Sequence, residues 1–168
     1  MKLIFGLLGG LAMSSVSILF SNPDDDKSWL VAGFENIEQV NDGLQNIRLA
    51  STSASIDPIK SMLLEFPIAI NCWERGQSKA EPSFVEAQGF GQFQNIWSKL
   101  VETNEHFDAL KSLQYDDLSF NSYGASTPSG TIWFSLIGKE KLSEHSMIYA
   151  INSFEFCDTL SNWKMKPN

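Results

Sequence analysis

The chain has 168 residues, of which 43% are apolar and 12% aromatic, and its formal net charge is -8. This composition is typical of a folded domain and excludes a chain that is too polar to bury a core. Nucleic acid and anionic lipid headgroups carry the same sign of charge, so both are disfavoured as partners. The charge favours solubility or a basic protein partner.

The N-terminal segment has the pattern of an export signal. Lys2 is followed by residues 3–20 without one charged side chain, which is typical of a secretory signal peptide. Small residues allow cleavage after Ser14 or Ser17. Alternatively the run stays in the membrane as an anchor, since it is close to the about 20 residues that span a bilayer. We expect residues 1–21 to export the protein to the periplasm, the cell envelope or the exterior, with membrane contact through the apolar run if it is retained.

The remainder, residues 22–168, has the length of a single domain. Its first half has helical periodicity. Apolar residues recur at spacings of three and four from Leu30 to Ile47, and the polar run 50–55 ends this helix. Asp57 and Pro58 predict the start of a second helix that ends before Pro67.

The middle of the domain predicts further helix, and the last third predicts β-structure. Residues 93–100 fit a helix, and Thr103 or Asn104 could cap a second one. A β-segment follows at residues 118–123, then a loop at 124–130. Strands at 131–137 and 147–151 form an antiparallel hairpin across the charged connection 138–145. The predicted class is α+β. It has an N-terminal apolar segment, an amphipathic helix packed on a small antiparallel β-sheet and a short C-terminal helix at residues 153–163.

The two cysteines, Cys72 and Cys157, predict a disulfide if the chain is exported. Closing so long a loop would stabilise the fold by about 4 kcal/mol in the chain-entropy model. The alternative is a reactive catalytic thiol. It needs a nearby histidine and a depressed pKa, and the sequence indicates neither.

Sequence motifs for catalysis are weak. His106 and His145 are the obvious general bases, but both lie among charged residues and are typical of solvated side chains. Ser161 and Lys164 have the SxxK spacing without its partner motifs. Zinc, P-loop and nucleophile-elbow patterns are missing. We therefore predict a non-enzymatic protein without catalytic residues, metal ligands or cofactors.

Two acidic runs and several tryptophans have structural interpretations as well as functional ones. Asp24–Asp26 and Asp116–Asp117 could attract calcium, but neither run has the spacing that supplies six to eight oxygen ligands. Trp73, Trp97, Trp133 and Trp163 could line a carbohydrate or peptide groove. They are also typical core or interface anchors, and we expect Trp133 and Trp163 to pack inward.

The order of these elements resembles the fold of type IVb pilins and their conjugative relatives. Residues 3–20 and 30–47 correspond to the two halves of the pilin helix, with Pro23 between them. Asn95-Ile96-Trp97 is similar to the Asn-x-Trp stretch before the pilin sheet, and residues 131–160 are similar to its terminal strands and Cys-x-x-Leu helix. The resemblance implies a structural or minor pilus subunit whose partners are like subunits.

A second hypothesis belongs to a different class. Without residues 1–21, whose one charged residue is Lys2, the domain has a net charge of -9. A small acidic domain of this kind could bind a basic cell-wall hydrolase or toxin, as inhibitors and immunity proteins do, because its charge would accelerate association. The sequence leaves both hypotheses open.

The disulfide gives a direct prediction. In protein recovered from the cell envelope, we expect alkylation of Cys72 and Cys157 only after reduction, measured by intact mass spectrometry. A start at Ser15 or Ile18 would show a cleaved signal, whereas a mass that includes residues 3–20 would show a retained anchor. Alkylation without reductant would contradict the disulfide.

Overall fold

The computed structural model describes residues 27–63, 65–73, 83–137 and 142–154. The predicted export segment 1–21, the Asp24–Asp26 run and the predicted C-terminal helix beyond residue 154 lie outside these ranges. Within them no helix is both long and apolar enough to cross a bilayer.

The described residues form an α+β domain in which helices cover one face of a six-stranded, mostly antiparallel sheet. The helices are α1 (Ser28–Val31), α2 (Ile37–Ser53), α3 (Phe90–Thr103) and α4 (Glu105–Asp108). Short 3₁₀ segments occupy Asp57–Met62, Ala109–Ser112, Tyr115–Asp117 and Pro128–Gly130. The strands are β1 (Ile68–Trp73), β2 (Ser83–Ala87), β3 (Ser119–Asn121), β4 (Gly124–Ser126), β5 (Ile132–Ile137) and β6 (Leu142–Phe154).

The sheet order is β2-β1-β6-β5-β4-β3, and its one parallel pair is β1 with β6. Ile70 of β1 lies opposite Ile151 of β6, which in turn lies opposite Ile132 of β5. All three isoleucines are buried, and so is Val85 of β2, the antiparallel partner of Ile70. This row lies on the face that the helices cover, because side chains alternate between the two faces of a strand.

Helix α2 approaches the sheet closely at Gly43. A Cβ at this position would lie 2.9 Å from the Phe134 ring and 3.1 Å from Ser146 Oγ. Ser146 donates a hydrogen bond of 2.7 Å to the carbonyl oxygen of Gln39, one turn earlier in the helix. The Phe34 ring packs edge-on against Phe134, with ring centroids 5.9 Å apart. Only a residue without a side chain allows this packing.

Helix α3 supports the C-terminal end of α2 through side-chain donors. Trp97, which is fully buried, donates its indole N–H to the carbonyl oxygen of Ala50 at 3.1 Å. Gln94 and Ser98 both donate to the carbonyl oxygen of Ala54 at 2.8 Å. Gln94 and Ser98 thereby satisfy a carbonyl group just past the last helical residue, whereas the Ala50 carbonyl also accepts from the backbone N–H of Ser55 at 3.1 Å.

The start and end of the amphipathic helix differ from the sequence prediction. The helix begins at Ile37 rather than Leu30, because Gly33 has a φ of 81° and Asn36 caps α2 by accepting from the Gln39 N–H. It ends at Ser53, so the loop predicted at 50–55 is wrong for most of its length. Serine and threonine hydroxyls there bond to carbonyl groups one turn back, which is compatible with helix.

Other local predictions have mixed outcomes. Helix α3 confirms the segment 93–100, and Asn104 caps α4 by accepting from the His106 N–H. The β5–β6 antiparallel pair is confirmed, but β6 begins at Leu142 and includes Ser153–Phe154, which were predicted to start a helix. The predicted loop 124–130 contains β4. The helix predicted after Asp57 is a short 3₁₀ segment.

The packing at Gly43 predicts a marked loss of stability on substitution. Gly43→Ala should lower the free energy of unfolding by about 1–3 kcal/mol, because the methyl group must displace the Phe134 ring or the helix. The measurement is urea unfolding followed by circular dichroism. Gly91→Ala is the matched control, since nothing lies within 4 Å of its Cβ and alanine favours helix. Equal effects of the two variants would contradict the packing argument.

Candidate functional site

Of the two cysteines in the predicted disulfide, Cys72 belongs to the described residues and Cys157 does not. Cys72 lies in β1 with 2% of its surface exposed, opposite Ser153 of β6 in the parallel register. Cys157 lies outside the described residues, so the Cys72–Cys157 disulfide stays a prediction. Because Cys72 is buried, it does not present the exposed thiol that a catalytic nucleophile needs.

The other residues singled out for chemistry are spread over the molecule. His106 is half-buried on α4, and His145 belongs to β6. Asp117 accepts a hydrogen bond from the Gln114 N–H and stabilises the 3₁₀ turn at 115–117. Among the described side chains, no group of three histidine, cysteine, aspartate or glutamate residues could hold a metal ion.

Two surfaces among the described residues are candidate binding sites. The first lies on the sheet face opposite the helices. Strands β1, β5 and β6 turn a set of buried side chains toward the helices: Ile70, Cys72, Ile132, Phe134, Ile151 and Ser153. Because side chains alternate between the two faces of a strand, four of their neighbours in the chain lie on the opposite face: Asn71 and Trp73 of β1, Trp133 of β5 and Asn152 of β6. Phe84 of β2 lies on the same side, because it is the antiparallel partner of Asn71. Tyr149 lies there because the register of β6 shifts opposite Trp133 and Phe134, which interrupts the alternation and brings its ring against Trp133. We call these six residues the sheet-face strip: Asn71, Trp73, Phe84, Trp133, Tyr149 and Asn152.

Asn152 holds the centre of the sheet-face strip through both ends of its amide. Its Oδ1 accepts from Asn71 Nδ2 at 3.0 Å and from Trp73 Nε1 at 3.2 Å. Its Nδ2 donates to the carbonyl oxygen of Gly130 at 2.6 Å. The Trp73 indole is therefore oriented by a hydrogen bond, which lowers the entropy that it would lose on binding a partner.

The second half of the sheet-face strip is aromatic. The rings of Trp133 and Tyr149 lie 6.2 Å apart at an interplanar angle of 53°. The Trp133 indole also covers Gly130, whose φ of 66° favours glycine and whose Cβ would lie 3.2 Å from the indole nitrogen. Tyr149 is 37% exposed and Phe84 52% exposed. The prediction that Trp133 packs inward is wrong, because its neighbours Ile132 and Phe134 occupy the helix face and leave Trp133 partly exposed.

Trp97 has a different role from the strip tryptophans. It packs edge-on against Phe107, with ring centroids 5.6 Å apart, and is fully buried. This confirms the core interpretation for Trp97. The sequence contains part of the signal for this strip, because Asn71 and Trp73 alternate with Ile70 and Cys72 as the two faces of a strand do. The segment 68–70 alone was too short to indicate a strand.

The second surface is a polar cleft of about 290 Å³ on the helix side. It lies between α2, the 3₁₀ segment Asp57–Met62 and Ser146 of β6. We call it the α2 cleft. It is lined by Gln39, Asp42, Gly43, Asn46, Ser61, Met62 and Ser146.

The described residues of these two surfaces include no cysteine or histidine. The sheet-face strip presents aromatic area, and its central polar groups are already paired within the protein. Such a surface suits contact with another macromolecule, because oriented tryptophan and tyrosine side chains are the residue types that dominate binding energy at interfaces.

Partial burial of Tyr149 predicts a pH dependence. Desolvation raises the pKa of its phenol from 10.0 to about 12. The unfolded chain ionises first, so the folded state is favoured below pH 10 and loses this contribution as the pH rises from 10 through 12. We expect Tyr149→Phe to reduce the decline in stability over this interval, measured by urea unfolding at each pH. An unchanged decline would contradict this role for Tyr149.

Comparison of the chain with protein-family models, with curated proteins and with solved structures found no significant match.

Proposed function

We propose that this protein is a non-enzymatic, exported binding protein that captures a basic protein partner on the sheet-face strip. The observation that carries the proposal is the set of oriented, partly exposed aromatic side chains around Asn152. Trp73, Trp133 and Tyr149 all face the side of the sheet that the described helices leave uncovered.

Internal hydrogen bonds favour a protein partner over a sugar. Asn152 uses both its oxygen and its nitrogen within the strip, and the Trp73 indole N–H is also engaged. A carbohydrate needs polar groups that can bond to its hydroxyls, whereas a protein interface gains most from burying aromatic area at its centre.

The net charge supports a partner of the opposite sign. At -8 the chain repels its own copies and attracts a cationic protein, which increases the rate of association. The strip itself is nearly neutral, and Glu86 of β2 is the one charged residue on the same face of β1, β2, β5 and β6 among their described side chains. Aromatic contacts at the centre would therefore provide affinity, and acidic residues around them would provide steering.

A pilin-like envelope subunit is the second candidate, and one observation favours it. Helix α2 packs across a mostly antiparallel sheet, with a close contact at Gly43. This is the arrangement that the resemblance to type IVb pilins implies for the globular part of a subunit. In that case the occupant of the strip is a second copy of the chain, and not a basic protein of another kind.

Site-specific photo-crosslinking separates these candidates. A benzoylphenylalanine probe at position 149 of the full chain, irradiated in the cell envelope, should give one discrete adduct with a basic protein. The same probe at position 123 is the control, because Tyr123 is 76% exposed but lies on the β3–β4 turn, away from the strip. We expect no discrete adduct there.

The contribution of the aromatic strip is tested in the same assay. Trp133→Ala should lower the adduct yield about tenfold or more, since interface tryptophans commonly contribute about 2 kcal/mol or more. Circular dichroism checks that the variant is folded. An adduct between two copies of the chain would overturn the proposal in favour of the pilin-like candidate. Equal adducts from positions 149 and 123 would exclude a role for the strip in either candidate.

A further inference from the structure

The α2 cleft has a lining that selects for a cation. Among the described residues that line it, the one charged side chain is the carboxylate of Asp42, and the remaining polar groups come from Gln39, Asn46, Ser61 and Ser146. Because no lysine, arginine or histidine belongs to this described lining, the Asp42 carboxylate gives it a negative potential. Its volume of about 290 Å³ is at the lower end for ligand pockets, which suits one side chain better than a drug-sized ligand.

Several of the polar groups in the α2 cleft are available for a ligand. Within the part of the chain that the structure describes, no hydrogen bond or ion pair engages the side chains of Asp42, Asn46 or Ser61. By contrast, Ser146 already donates to the Gln39 carbonyl oxygen, which makes it part of the wall. Three oxygen acceptors from two different elements therefore border one concavity.

The charge on α2 next to the cleft is also uncompensated. Glu38 lies four residues before Asp42, so the two carboxylates are neighbours on the helix surface. Like charges at this spacing destabilise a helix. No described ion pair involves either residue. A cation bound at Asp42 would offset this repulsion.

We propose that the α2 cleft binds the guanidinium group of an arginine side chain presented by a peptide or protein. A guanidinium has five donors in one plane, which suits the Asp42 carboxylate together with the oxygens of Asn46 and Ser61. Met62, which is almost fully buried, provides an apolar wall for the aliphatic part of arginine. This site lies on the opposite side of the sheet from the sheet-face strip, so it does not depend on the proposed function.

Nuclear magnetic resonance titration of the ¹⁵N-labelled full chain with N-acetyl-arginine amide tests the proposal. We expect saturable shifts of the backbone amide signals of Gln39, Asp42, Asn46 and Ser61. N-acetyl-citrulline amide is the matched control ligand, since it has nearly the same shape without the charge, and it should bind about tenfold more weakly or not at all. Shifts of equal size with both ligands would overturn the assignment of a guanidinium site.

A pair of isosteric variants distinguishes binding at the cleft from general attraction to the negatively charged protein. Asp42→Asn should weaken arginine binding about tenfold, because it removes a charge-assisted hydrogen bond. Asp116→Asn changes the net charge equally but lies in the 3₁₀ turn 115–117, outside the cleft, so binding should be unchanged. Equal losses of arginine affinity in both variants would overturn the site, because they would show that the ligand responds only to net charge. The absence of saturable shifts at about 10 mM ligand, ten times a Kd of 1 mM, would exclude the site.

Discussion

The close contact between helix α2 and the sheet is the constraint on which the rest of the domain depends. At Gly43 the helix backbone lies against the Phe134 ring and the Ser146 hydroxyl, and Ser146 holds the helix by bonding to the Gln39 carbonyl. This contact closes the core over β5 and β6. The cleft lined by Asp42 and Asn46 lies beside this contact, since Gly43 and Ser146 also line it.

The far end of α2 is held in a different way. Trp97, Gln94 and Ser98 of α3 donate to the carbonyl groups of Ala50 and Ala54, so side chains of one helix hold the end of another. Ala54 has a φ of 50°, a left-handed conformation that a residue with a side chain adopts at a cost. The donors of α3 compensate for this cost, and α2 is therefore supported at both ends.

The two faces of the sheet differ because side chains of β1, β5 and β6 alternate between them, with a register shift between β5 and β6 that brings Tyr149 to the side of Trp133. On one face Ile70, Ile132 and Ile151 belong to the core. On the other, Asn152 bonds to Asn71, Trp73 and Gly130 and thereby orders an aromatic surface. The sheet-face strip and the α2 cleft therefore lie on opposite sides of the sheet and share no residue.

The amino-acid sequence by itself determined the α+β class, the centre of helix α3, a cap at Thr103 or Asn104 and the β5–β6 hairpin, since periodicity and capping are local properties. It did not separate the buried Trp97 from the partly exposed Trp133, because which side of an element is covered depends on what packs on it. The ends of α2, strand β4 and the parallel β1–β6 pair were decided by tertiary structure. Each depends on a partner distant in the chain: α3 for the end of α2, β5 for β4, and β6 for β1. For the same reason the sequence named Asp42, Asn71 and Asn152 in no functional role. Their significance arises from neighbours that only the folded chain brings together.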